Sequence, residues 1–330
     1  MPPPLTAASA IARLIPLAAM PLILALLAPG RAEAAASCTS SVTDGTFTAT
    51  SGLSPGTYDT TATLSFSCTG LTPAIPVTLC PNIDGGSGGG DAGGGRFLTA
   101  AGLGSLGFQI YRDAGRTLPW GSTSFLIFGD VPTITVTPGA NGRVDTTRTL
   151  YARVTVPATA KPGTYSSTFT NQNFFWGLNL LTCGGITVGF ALPPPAFTFR
   201  MTIDPGCTVA GTPMDFGTVG LLATTKVAEN SVNVRCTNGT TYSVGLGNGL
   251  NGTSPTNRRL AKGAERITYG IYKDRDGVQP WGEAAMGASF VQSGSGTGSS
   301  QPYPAYGRAP AQTTPSPGAY ADTIVATVTY

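Results

Sequence analysis

Leu106-Gly-Phe-Gln-Ile-Tyr-Arg-Asp113, continuing to Pro119-Trp120-Gly121, returns later in the chain as Ile267-Thr-Tyr-Gly-Ile-Tyr-Lys-Asp274, continuing to Pro280-Trp281-Gly282. Further matches keep the same order. Tyr151-Ala-Arg153 pairs with Tyr306-Gly-Arg308, Pro162-Gly-Thr-Tyr165 with Pro317-Gly-Ala-Tyr320, and Arg96-Phe97 with Arg259-Leu260. Internal self-similarity on this scale is the mark of a duplicated domain. Each copy consists of short alternating runs, such as Val232, Val234, Tyr242, Val244 and Leu246 around Cys236. Side chains alternate across a strand with period two, so these runs read as antiparallel strands punctuated by Gly and Pro. The expected fold is all-β: two tandem immunoglobulin-like Greek-key β-sandwich domains.

The boundary is expected at Pro193-Pro194-Pro195, a stiff spacer, between a first domain at 37–192 and a second at 196–330. Residues 1–36 read as a cleaved signal peptide. Arg13 precedes an apolar run from Leu14 to Ala28, and Ala34-Ala35-Ala36 offers a small-residue cleavage site. The run contains Pro16 and Pro21 and is too short to span a membrane. Six cysteines behind such a leader imply three disulfides made in an oxidising compartment. They allow 15 pairings. The repeat favours Cys38–Cys68 and Cys207–Cys236, which leaves Cys80–Cys183. Ala-Ala-Ser before Cys38 lacks a lipobox pattern, which argues against a lipid anchor.

Composition narrows the function. The formal net charge of +3 is too balanced to call for nucleic acid as partner, and the chain contains no histidine, the commonest general base and metal ligand. Acidic residues are scattered, and Asp113, Asp274 and Asp276 sit beside basic residues in turns. We expect no catalytic residues, no metal and no cofactor; a hydrolase using two distant carboxylates is the remaining enzymatic alternative.

The cysteine pair, the Gly…Arg-Leu step, Tyr-Gly-Ile-Tyr-Lys-Asp, Trp-Gly, Tyr-Gly-Arg and the closing Gly318-Ala-Tyr-Ala-Asp-Thr-Ile-Val-Ala-Thr-Val-Thr-Tyr330 resemble the spore coat protein U domain. The likeness is strong over Cys207–Tyr330 and weaker but ordered over Cys38 to about Phe169. That domain also builds the subunits of archaic, Csu-type chaperone–usher pili. The resemblance implies an incomplete sandwich lacking its last strand, held first by a periplasmic pilus chaperone and passed to an outer-membrane usher. The next pilus subunit then donates the strand. Ile324, Ala326, Val328 and Tyr330 are the expected acceptor edge, because an unpaired edge invites strand addition. Family pilins carry a donor strand before the first cysteine, and Ser37 directly precedes Cys38. We therefore expect a subunit that receives a strand without giving one, as at a pilus tip on the cell surface.

Two apolar stretches are candidate surface-binding fingers for abiotic or host surfaces. The first is Phe174, Phe175, Trp176, Leu178, Leu180 and Leu181, with no evident counterpart in the second copy; the competing reading is the first domain's own last strand. Phe125, Leu126, Ile127 and Phe128 form a second run, more readily read as a buried strand. Trp120 and Trp281, shared by both copies, read as core. The loops Gly85–Gly95 and Ser293–Ser300 read as flexible, the former lacking the Lys-Ser/Thr of a phosphate loop. Ala196-Phe-Thr-Phe-Arg-Met-Thr-Ile203 alternates cleanly and is expected to close domain one in cis, with Gly185–Phe190 as competitor. These features lead us to expect a tip adhesin promoting attachment and biofilm. A structural pilus or coat subunit without receptor, or a secreted carbohydrate-binding module, are the alternatives.

Overall fold

The computed structural model describes residues 35–178, 182–183 and 189–330, so most of the signal-peptide reading lies outside the described residues. Strands dominate, and helix among the described residues is limited to the short 3-10 segments Leu126–Phe128, Ala284–Met286 and Ala288–Phe290. Two large hydrophobic cores form, one per repeat, beside a small cluster of Cys80, Val131 and Cys183. The chain is two tandem immunoglobulin-like β-sandwiches.

Alternation sets the faces. In the Gly56–Thr69 strand, Ala62, Leu64, Phe66 and Cys68 are buried while Thr61 and Thr63 are exposed. Its partner Val144–Val156 pairs with it from Gly56↔Val156 to Cys68↔Val144 and buries Leu150, Ala152 and Val154. In domain one the larger sheet runs in the order 37–42, 56–69, 144–156, 104–111, 96–100, 163–169, 197–204 and 45–46. Consecutive chain segments 37–42 and 45–46 thus lie at opposite ends of the sheet, which wraps around the core. A second sheet orders 190–191, 174–178, 77–81 and 134–136. Domain two repeats this plan with 207–211, 226–236, 300–309, 265–272 and 258–262 in one sheet, and 292–295, 241–246 and 326–329 in the other.

All three disulfides are Cys38–Cys68, Cys80–Cys183 and Cys207–Cys236. The repeat also holds at atomic detail. Trp120 and Trp281 are buried and donate their indole N–H to Pro81 O (2.8 Å) and Val244 O (2.9 Å). Arg96 and Arg258, both fully buried, each donate to the carbonyl of that Trp at 2.7 Å. The partner of Arg96 is therefore Arg258, not Arg259 as the sequence match suggested.

The boundary at Pro193–Pro195 also needs correcting. Phe197–Asp204 follows it but packs in domain one, pairing antiparallel with Gly163–Phe169 and parallel with Gly45–Thr46 and Thr50–Ser51. Phe197, Phe199, Met201 and Ile203 are buried in the first core, because their alternation gives one wholly apolar face. The packing boundary lies at Pro205-Gly206, just before Cys207. Of the competing segment, 185–188 lies outside the described residues, and Phe190–Ala191 pairs with Phe174–Leu178 instead.

Candidate functional site

The described part of the first candidate finger does not stand out as an exposed finger. Phe174–Leu178 is a strand pairing with Val77–Pro81 on one side and Phe190–Ala191 on the other. Phe174 is 1% and Trp176 6% exposed, both in the core, and half-buried Phe175 packs on the Cys80–Cys183 bridge. Both faces are covered, which is why the run alternates in neither period. Leu178 ends the strand, and Leu180 and Leu181 lie outside the described residues. A counterpart exists after all. Phe174 pairs with Pro81 as Val328 pairs with Val244, so Ala326–Thr329 is the same strand in domain two.

The second run is the exposed one. Leu126–Phe128 forms a 3-10 turn with Phe125, Leu126 and Ile127 at 52%, 80% and 52% exposure. Phe128 alone turns inward, 5% exposed, with the Arg96 guanidinium 4.5 Å from its ring centroid. Arg96 is held by carbonyls of Asp84, Ile83 and Trp120 and by Gln109, so its charge is fully partnered. Burial pulls its pKa down to about 9, which still leaves it protonated at neutral pH.

The glycine-rich loop, read from its composition as flexible, builds the seat. A Cβ on Gly90 would stand 2.5 Å from the Phe128 ring, and one on Gly94 only 1.9 Å from Ile127 O. Asp91 pins the loop by accepting from the N–H of Gly93 and Gly95, both at 2.9 Å. Backbone bonds from Ser87 to Thr168 O and from Asp91 to Gly95 O complete it.

In domain two the same stretch after Trp281-Gly282 carries Glu283, Ala284, Ala285, Ala288 and Ser289 at its exposed positions. The fold therefore does not require large apolar side chains there.

Domain two holds a second site where domain one has Phe197–Asp204. Among the described residues no strand fills that place. Leu98 and Leu106 lie buried in domain one, whereas their counterparts Leu260 and Ile267 are only half-buried. They line a groove of about 730 Å3 between Met214–Leu222 and Thr314–Tyr320. The segment matching the Gly163–Phe169 strand, from Gly318 to Ile324, keeps one bridge, Ala321 to Ala261, and is otherwise irregular. The same repeat sequence is thus a strand only where a partner strand lies beside it.

One lip of the groove is latched. Glu265 accepts from Ser316 N (2.9 Å), Ser316 Oγ and Tyr320 OH (2.9 Å), and Lys262 donates to Ser316 Oγ (2.7 Å) and Pro317 O (2.6 Å). Those hydrogen bonds, from the Ser316 hydroxyl first, hold the Glu265 carboxyl down to about 2. Of the four residues expected as the acceptor edge, Ile324 ends this irregular segment. Ala326 and Val328 lie in the adjoining edge strand, paired on one side with Thr241–Leu246, and Tyr330 is exposed. The sequence missed the Met214–Leu222 side of the groove, because only the comparison with strand 45–46 of domain one identifies it as an edge.

A family model, the Spore Coat Protein U domain, matches residues 25–172 and 195–327. No curated protein matches the chain. Among solved structures it is similar to a chain of the CsuC–CsuE chaperone–tip adhesion subunit pre-assembly complex from archaic chaperone-usher Csu pili of Acinetobacter baumannii. Identity there is 17%, covering 89% of this chain and 100% of that one, with a TM-score of 0.49. The CupB6 tip adhesin of Pseudomonas aeruginosa is similar at 13% identity, covering 88% and 93%, with a TM-score of 0.40. A mutant form of the CFA/I enterotoxigenic E. coli adhesin CfaE gives 9% identity, 87% and 91% coverage, and a TM-score of 0.28.

Proposed function

The chain belongs to the spore coat protein U domain family, and from that membership we propose that it is a pilus-tip adhesin assembled by donated strands. The observation that carries this reading is the contrast between its two domains. Domain one is closed by Phe197–Asp204, the segment just ahead of the first cysteine of domain two, whereas among the described residues no strand lies in the matching groove of domain two. The cis strand is a working example, within one chain, of what an incoming strand does. Main-chain hydrogen bonds along an open edge supply affinity, and alternate side chains fill the pockets. A periplasmic chaperone shields the groove first, an outer-membrane usher passes the chain on, and the next subunit supplies the final strand. Three disulfides and no free cysteine among the described residues suit folding outside the cytoplasm.

The adhesive end is the Phe125–Ile127 turn. An exposed apolar cluster whose counterpart in the repeat is Glu283, Ala284 and Ala285 serves contact rather than folding. Its partners are apolar abiotic or host surfaces, not nucleic acid, and its role is attachment, without catalysis. Beads coated with the full chain test this on polystyrene. The wild type should hold at high salt, because screening acts on charges. A Leu126→Ser, Ile127→Ser variant with an unchanged melt should release. Equal retention by both would reduce the protein to a structural subunit.

A further inference from the structure

Cys38 to Phe47 and Cys207 to Phe216 run in step with no insertion, ten residues each. Phe47 meets Phe108 edge-on at 6.1 Å, and Phe216 meets Tyr269 edge-on at 5.9 Å. Phe108 and Tyr269 in turn face Arg96 and Arg258. Gly45 and Met214 therefore occupy one structural position in the two domains.

At Gly45 the missing side chain is what admits the closing strand. A Cβ there would stand 2.1 Å from Phe199 Cε1, and Phe199 fills that space against Phe108 (5.1 Å), Phe47 and Phe169 (both 6.3 Å). At Met214 the side chain ends over Gly307, with Sδ 2.2 Å from where a Gly307 Cβ would be. Gly307 takes the place of Ala152: both face the middle of the repeated strand, at Ile271 and Ile110. Domain two thus has Met and Gly where domain one has Gly and Ala, and the Met214 side chain starts from the position at which, in domain one, Phe199 takes up the Cβ space.

The opposite wall differs in the same sense. Phe199 is registered to the buried hydroxyl residue Ser167. The repeated Gly163/Gly318 and Tyr165/Tyr320 put Asp322 at that place in domain two. Its carboxylate accepts from Tyr269 OH (2.8 Å) and Leu250 N (2.9 Å). A large ring pressed on this carboxylate would strip its remaining water without replacing the hydrogen bonds.

We propose that Met214 is the specificity-determining residue of the acceptor groove. The groove takes an extended strand from another polypeptide, antiparallel to Gly318–Ile324, whose inward residues opposite Ile324, Tyr320 and Gly318 are large and apolar. The residue opposite Asp322 is small, and favourably Ser or Thr. This rests on the strand-acceptor reading and deepens it.

The test uses the full chain and two labelled peptides in fluorescence anisotropy: residues 196–204 of this sequence, and the same peptide with Thr in place of Phe199. The wild type should prefer the Thr peptide by roughly tenfold or more, the scale of overpacking one core position. Met214→Gly should reverse the preference, and Met214→Ala should narrow it, giving a second readout if the glycine variant folds poorly. Equal affinity for both peptides, or an unchanged preference in both variants, overturns the role of Met214 while leaving the groove a strand acceptor. Binding of neither peptide overturns the acceptor reading itself, and this inference with it.

Discussion

Phe128 packs against Arg96, ring centroid 4.5 Å from the guanidinium carbon, and that contact ties the exposed turn of domain one to a charge buried at its centre. A cation over an aromatic face is worth more once water is excluded. Here the cation is also fixed by backbone carbonyls from three residues, so the turn is presented on a rigid base. The glycine-rich loop closes the other side of the same ring.

The turn should therefore separate binding from folding. Leu126→Ser and Ile127→Ser alter exposed side chains, and surface changes of this kind usually move stability by within about 0.5 kcal/mol. We expect an unchanged melting temperature together with loss of retention on apolar surfaces. A substantially lowered melt would mean that the turn packs in solution, contrary to its exposure.

Trp176→Ser and Phe174→Ser should behave in the opposite way. Both side chains sit in the core of domain one, where truncating a large aromatic costs about 3–5 kcal/mol. Thermal unfolding should show a strongly destabilised domain one and poor recovery of soluble protein. A stable double variant that has merely lost surface binding would restore the finger reading of this segment.

The duplication, the cysteine pairs and the closing strand were legible because each leaves a pattern: repeated words, matched spacing, and the alternation of Phe197, Phe199, Met201 and Ile203. The two apolar runs were not. Phe174-Phe175-Trp176 shows no apolar–polar alternation because the disulfide partly covers its second face, so a strand apolar on both faces looked like an irregular loop. Phe125–Phe128 is too short for periodicity to separate a buried strand from an exposed turn. The informative signal was in the repeat, where Ala284, Ala285 and Ala288 stand in the matching loop. Gly85–Gly95 read as flexible because composition cannot distinguish glycine used for freedom from glycine required by the close approach of Phe128 and Ile127 O.

Acid should loosen the groove lip. Glu265 has its folded pKa held near 2, below its ordinary 4.5, by the Ser316 and Tyr320 hydrogen bonds. A depressed carboxylate contributes stability that is present above about 4.5 and is lost as pH falls toward about 2. Hydrogen exchange at Ser316 and its neighbours should accelerate across that window, and Glu265→Gln should remove most of the pH dependence. A flat profile in the wild type would show that Lys262 and the backbone hold the lip without the carboxylate.

The two buried arginines allow the last prediction to be made as a matched pair. Arg96→Ala leaves the carbonyls of Ile83, Asp84 and Trp120 without their donor and takes the cation from beneath Phe128. Arg258→Ala does the equivalent to Leu246, Gly247, Pro255 and Trp281. Orphaned buried carbonyls cost about 1–3 kcal/mol each, so each variant should destabilise its own domain by several kcal/mol. The functional effects should diverge. Arg96→Ala should weaken retention on apolar surfaces even at temperatures where the domain remains folded, because Phe128 no longer anchors the turn. Arg258→Ala should leave that retention intact and instead weaken strand binding, since Leu260 and Tyr269 rest on the element it anchors. Melting curves assign the damage to a domain, and bead retention with peptide anisotropy on the same samples assigns the function. Equal loss of retention in both variants would mean that general instability, not the Arg96–Phe128 contact, controls the turn.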